Sequence, residues 1–188
     1  MSTTTTTATQ LVPAGTWAAD PAHSRVGFAV KHLGIATVRG TFGSFDGSLV
    51  VGDDLTGAAF NATIAAASVD TAEEQRDAHL RSADFFDVEQ HPTLTFASTR
   101  VTPVDEDTFT IVGDLTMHGV TREVALEAVV QGAETDPWGN ERVAFEITGQ
   151  LSRGDFGMTF NQALGSGNLL VSDRVKLSLD ISAVRQAA

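Results

Sequence analysis

The sequence predicts an all-β domain, an eight-stranded antiparallel barrel with a short helical excursion between strands three and four. Three observations lead there. Period-two alternation of apolar and polar residues dominates from Val26 to Ile181. Each alternating run is polar on one face, and no long amphipathic helix is available to cover the other. Such a sheet must close on itself or pair with a second sheet. Lastly, the apolar phase mixes Phe with Gly40, Ala58, Ala62, Gly113, Ala128 and Gly149, residues expected to leave space. Eight closed strands are wide enough to hold side chains or one small ligand. A two-sheet sandwich is the competing solution. The barrel is favoured because two Phe-containing irregular stretches read as end-plugs.

The elements follow in order. Residues 1–14 read as a disordered Ser/Thr-rich tail, and residues 15–186 as the barrel. Val26, Phe28, Val30 and His32 share one face of strand one. Val38, Gly40 and Phe42 begin strand two, whose phase shifts at Gly43 so that Phe45, Leu49 and Val51 carry the apolar face. A glycine at a phase shift reads as a bulge that bends the strand. After a turn at Asp53 and Asp54, strand three runs through Ala58, Phe60, Ala62 and Ile64. Asp70 and Thr71 start the excursion, with Thr71 and Glu74 fitting a capping box. It carries Arg76, His79 and Arg81 and breaks into Phe85 and Phe86.

His91-Pro92 restarts extended structure, with Leu94 and Phe96 on one face of strand four. Phe109, Ile111, Gly113, Leu115 and Met117 give strand five, and His118-Gly119 turns into strand six at Val124, Leu126, Ala128 and Val130. A loop at Asp136–Asn140 has strong turn chemistry. Strand seven holds Val143, Phe145, Ile147 and Leu151. Residues 156–167 are a second irregular excursion, and Val175, Leu177, Leu179 and Ile181 form strand eight.

Composition narrows the function classes. The 188 residues are 42% hydrophobic and 19% charged, with no Cys and a net charge of −12. Disulfides, thiolate metal sites and a nucleophilic thiol are excluded. The acidic balance argues against nucleic acid and anionic membrane surfaces. Eleven Phe and no Tyr suit a dry interior, because Phe brings no hydroxyl that needs a partner. The N-terminus has neither a basic region nor an apolar run, so no secretory signal and a cytoplasmic location are expected. No segment reaches the apolar length of a membrane span.

Candidate chemistry is sparse. Asp20, His23 and Ser24 hint at a hydrolase, but neighbouring His and Ser point to opposite faces and no nucleophile elbow is present. The alternative is a turn in which Asp20 bonds nearby backbone N–H groups. The five histidines, His23, His32, His79, His91 and His118, show no ligand spacing, so no metal is expected. His32 points inward, either as a satisfied core histidine or as a polar group facing a ligand. Arg76 and His79 share a helix face, and Arg153 lies beside Phe156. These cations either meet a ligand or pair with the abundant carboxylates. No phosphate loop or dinucleotide fingerprint appears, so no cofactor is expected.

Six stretches in order resemble the YceI-like polyisoprenoid-binding family: Asp20–Ser24, His32–Phe42, Arg76–Asp87, His91–Ser98, Gly113–Val120 and Arg153–Gly157. The resemblance covers about residues 16–184. It implies a lipocalin-like barrel whose interior takes a long isoprenoid or other lipid, commonly as a homodimer; many relatives carry a secretory signal. The expected function is non-catalytic binding, carrying or sequestering of a polyisoprenoid such as a quinone or prenyl chain. Phe28, Phe42, Phe45, Phe60, Phe96, Phe109 and Phe145 would line the tunnel. Phe85, Phe86, Phe156 and Met158 would guard its ends. His32, Arg76, His79 and Arg153 are the polar candidates for a headgroup. The alternative is an enzyme on a lipid-like substrate with His32 or His79 as general acid or base.

Overall fold

The computed structural model describes residues 11–187, in which eleven strands form one antiparallel sheet closed into a barrel. Three lengths of chain are bent, so the eleven pieces make eight staves. β1 (Gly15–Ala19) and β2 (Arg25–His32) are separated by the 3-10 turn Pro21–His23. β3 (Ala36–Phe42) and β4 (Phe45–Val51) bend at Gly43 and Ser44, where the phase shift places a bulge. β5 (Ala59–Ala65) and β6 (Val69–Asp70) flank the turn Ala66–Ser68. The others are β7 (Thr93–Pro103), β8 (Thr108–Met117), β9 (Val120–Thr135), β10 (Glu141–Ser152) and β11 (Val171–Arg185). The ring closes where β11 pairs with β2 over one half and with β1 over the other.

Several expectations need correction. The tail cannot extend to residue 14, because Leu11 packs against the core and Val12 is buried within it; residues 1–10 lie outside those described. β1 and β6 escape the sequence pattern. Five and two residues long, they are too short for alternation to register. The helix, α1 (Glu74–Arg81), is capped by Glu73, whose carboxylate accepts from the N–H groups of Gln75 and Arg76. Thr71 is unavailable as a cap because its hydroxyl donates to Asp77 and accepts from Arg76 Nε.

The glycines do not leave space either. Gly40 is the register partner of Phe28, and a Cβ there would come 2.3 Å from that ring's Cζ. At Gly113 it would meet Phe96 Cζ at 2.5 Å, and at Gly149 Leu126 Cδ2 at 2.6 Å. Each missing Cβ lets a neighbouring side chain lie over the strand, which draws that side chain toward the wall.

Two apolar clusters divide the interior. One gathers Val12, Trp17, Leu49, Val101, Phe109, Val130, Val143 and Phe145 toward the β7–β8 and β9–β10 hairpins. The other gathers Val26, Phe42, Val69, Leu94, Met117, Phe156 and Met158 toward the two irregular excursions.

Candidate functional site

Between these clusters lies a cavity of about 260 Å³ with an almost wholly apolar surface. Alternation explains its walls. In β11, Val175, Leu177, Leu179 and Ile181 point inward between exposed Arg174, Lys176, Ser178 and Asp180. These inward residues are only half-buried, because they face open space rather than another layer of side chains.

Ten of the fifteen predicted site residues border this space: Phe28, Phe42, Phe45, Phe60, Phe85, Phe86, Phe96, Phe145, Arg153 and Met158. The other five do not. Phe109 is 1% exposed and packs edge-on against Phe145 and at a tilt on Phe60, so it stands behind the wall. Phe156 is equally buried, and its carbonyl lies 3.0 Å from His118 Nδ1. His32 ends β2 one inward position beyond Val30, and the lining stops at Val30.

Arg76 and His79 lie outside as well. The Arg76 guanidinium is bound to the hydroxyl and carbonyl of Thr71 at 2.7 and 2.8 Å, so it holds the helix start. His79 Nε2 is 2.8 Å from Asp84, and its ring meets Phe85 and Phe160 edge-on at 5.0 and 4.8 Å. Phe160 is an aromatic member of this cap that alternation could not reveal, since it sits in irregular chain. Leu177, Leu179, Ile181, Ile111 and Leu115 also border the cavity; the signal for them was present in the inward phase of strands five and eight.

Arg153 is the cation of the lining. It is 5% exposed and donates to the carbonyls of Ser172, Met158 and Val171 at 3.0, 2.7 and 3.3 Å. Burial lowers its pKa, with Asp173 opposing, yet a guanidinium remains charged under such a shift. Its guanidinium also sits 5.9 Å over the Phe85 ring. The expected carboxylate pairing is thus replaced by main-chain carbonyls, two of them at the start of β11, where its register with β2 shifts. Arg81 follows suit, donating to the carbonyls of Ala67 and Val69.

The Asp20 turn has its own geometry. Asp20 accepts from Ala22 N–H and from Arg142, and lies 2.8 Å from His23 Nδ1. The Arg142 bond first, then His23, holds its pKa at about 2. Ser24 Oγ is engaged with the main chain of Ser182 in both directions. The hydroxyl is therefore turned to backbone rather than to the imidazole. Two of the histidines, His91 and His118, do come together, beside Asp87.

A sequence model of the YceI-like domain matches residues 17–183. Protein YceI of Escherichia coli O157:H7 is 42% identical over 166 residues, covering 87% of this chain and 83% of that protein. A UPF0312 protein of Pectobacterium carotovorum is 41% identical over 165 residues, covering 87% and 82%. Among solved structures, the Campylobacter jejuni YCEI protein superposes with a TM-score of 0.71 at 29% identity, covering 89% of this chain and 96% of that one. A polyisoprenoid binding domain from Saccharophagus degradans implicated in plant cell wall breakdown gives 0.70 at 17% identity, covering 90% and 98%. That last likeness concerns the fold.

Proposed function

The chain belongs to the YceI-like domain family, and we propose that it is a non-catalytic carrier or sequestering protein for a lipid with a polyisoprenoid chain. The observation that carries this reading is the apolar cavity between two packed clusters. Burying apolar chain there is favourable by about 25 cal/mol per Å² before the cost of ordering. The barrel shared with a polyisoprenoid binding domain supports the same class of ligand. The space is slightly below the ~300–1,000 Å³ of small-molecule sites, so a long chain needs movement of the Phe85 and Phe86 cap.

The headgroup reading follows from the cations. Arg76 is committed to Thr71, and Arg153 already serves three carbonyls. An uncharged head such as a quinone asks for less than a diphosphate, which needs charge-assisted donors to spare. No histidine borders the cavity among the described residues, which favours carriage over acid–base chemistry by His32 or His79. A homodimer, as the resemblance implies, is part of the proposal; light scattering that returns only a 19.8 kDa species would remove it.

The test is solvent extraction of gently purified protein followed by mass spectrometry, then calorimetric titration of stripped protein with decylubiquinone and farnesyl diphosphate. Intact prenyl lipid in the extract and saturable quinone uptake, lost when Ala62→Phe fills the lumen, are the expected results. Turnover of the added lipid, or no saturable uptake of either probe, would overturn the reading.

A further inference from the structure

We propose that Asp87, His91 and His118 bind a divalent transition-metal ion of the zinc, cobalt or nickel type at the excursion end of the barrel. One candidate ligand atom from each residue lies within 4.8 Å of the other two, and the two imidazoles are 5.1 Å apart at 65°. Donors around a tetrahedral ion with bonds of about 2.1 Å stand roughly 3.4 Å apart. Small side-chain rotations close the difference. Asp87 and His91 reach one point because they flank a single turn, in which the N–H of His91 donates to the Asp87 carbonyl at 2.8 Å. The hairpin turn between β8 and β9 supplies His118.

Three further observations set this cluster apart from a chance meeting of polar side chains. His118 Nδ1 is 3.0 Å from the Phe156 carbonyl oxygen. A carbonyl can only accept, so Nδ1 carries the proton and the Nε2 lone pair is free. Such a bond is what fixes the tautomer and ring orientation of a ligating histidine. Next, Asp87 and His118 hold left-handed backbone conformations, with φ of +48° and +53°. They are two of the four non-glycine residues with positive φ among those described; at His118 the two-residue hairpin turn with Gly119 requires it, and that turn holds the imidazole at this end of the barrel. Finally, Gly119 has φ of +73°, and a Cβ there would fall 2.7 Å from His91 Cε1. The bare backbone makes room for the imidazole.

The donor set selects the ion. Two imidazoles and one carboxylate suit borderline transition metals, whereas calcium and magnesium take oxygen cages. Three protein ligands leave a coordination position for water. The preceding residues Phe86 and Met117 border the cavity, whereas Asp87 and His118 do not. A bound ion would therefore join the chain following α1 to the β8–β9 turn across the end of the barrel.

The experiment uses the full chain without an affinity tag, stripped with a chelator. It is titrated with Co²⁺ by visible absorption and with Zn²⁺ by calorimetry. One ion per chain is expected. His91→Gln and His118→Ala should each weaken it by about tenfold or more, while His23→Gln should leave it unchanged. Because His118→Ala also removes the bond to Phe156, far-ultraviolet circular dichroism decides whether it is folded. If it is not, the test rests on His91→Gln, which keeps that bond. Absence of saturable Co²⁺ absorption, or wild-type affinity in His91→Gln, would overturn the site.

Discussion

The two ends of this barrel are closed by different means. Toward the β7–β8 and β9–β10 hairpins, the strands' own side chains fill the interior: Trp17, Phe109 and Val143 are each 1% exposed. At the other end, chain that is not strand lies over the opening. There polar contacts from Arg153 and Arg81 to main-chain carbonyls join the apolar packing of Phe156 and Met158 in positioning it. Jigsaw packing of one end costs nothing in backbone hydrogen bonds, because the ladders continue through it. Covering the other end leaves carbonyls to be satisfied by side chains, the guanidinium groups of Arg153 and Arg81 and, at Val171, the Asn161 amide. A barrel is rigid where its own strands fill it and can open where other chain covers it. Packed apolar surface resists local opening, whereas a cover held by a few side chains is the lower-stability unit.

The largest effect is expected from Trp17→Ala at the packed end. A large-to-small change at so buried a site costs about 3–5 kcal/mol, measured by urea unfolding. Lipid bound per folded molecule should be unchanged. Phe86→Ala, half-buried at the covered end, should destabilise less and release lipid more. Equal release from both variants would end the division of labour. Arg153→Met comes next. Losing charged hydrogen bonds to three carbonyls should cost about 2–3 kcal/mol, with limited proteolysis cutting first within residues 156–170. Cutting elsewhere would mean that Arg153 does not hold this segment.

Gly40→Ala tests the wall between the ends. The new Cβ collides with Phe28 and with Thr71 Cγ2, so a loss of about 1–3 kcal/mol from overpacking is expected. Lipid uptake should fall as the ring moves into the lumen, and unchanged uptake would mean that the glycine does not shape the cavity. The smallest effect belongs to Arg142→Gln at the packed end. Asn140 and Arg142 lower Asp136, and Arg142 lowers Asp20 to about 2. A depressed carboxylate pKa contributes stability that is complete above the ordinary value of about 3.9. It is lost as pH falls through the folded value. Melting temperature should therefore drop between about pH 4 and 2 in the wild type, and less steeply in Arg142→Gln. Parallel acid limbs would rule out the charge network as the source of the acid sensitivity.

The strands were legible because alternation is local and the sheet has one apolar face. Which inward side chains meet space was not, since Phe60 and Phe109 share a phase and differ only in what stacks behind them. Arg76 reads as a cation for a mouth because helix spacing says which face a residue is on, not that Thr71 lies within its reach. Arg153 could be placed beside Phe156, but its carbonyl partners come from chain eighteen or nineteen residues away in two of three cases. Asp87 and His91 carry a helical i,i+4 spacing that was open to notice. Their meeting with His118 depends on a hairpin turn reaching the same end, which is a fact of closure and not of pattern.

That closure has a kinetic side. The seam joins Trp17 to Arg185 and Val26 to Leu179, contacts that span nearly the whole chain. Loop-closure entropy must be met before such pairings are rewarded, which slows folding of sheets rich in them. The lumen exists only once these long-range pairings close the sheet. Refolding followed by Trp17 fluorescence in a Trp138→Phe background should show this as a late phase. A permutant that links residue 187 to residue 11 and opens the β7–β8 turn turns those contacts local, and should shorten that phase. If it does not, some other step sets the pace at which the sheet becomes an enclosed space.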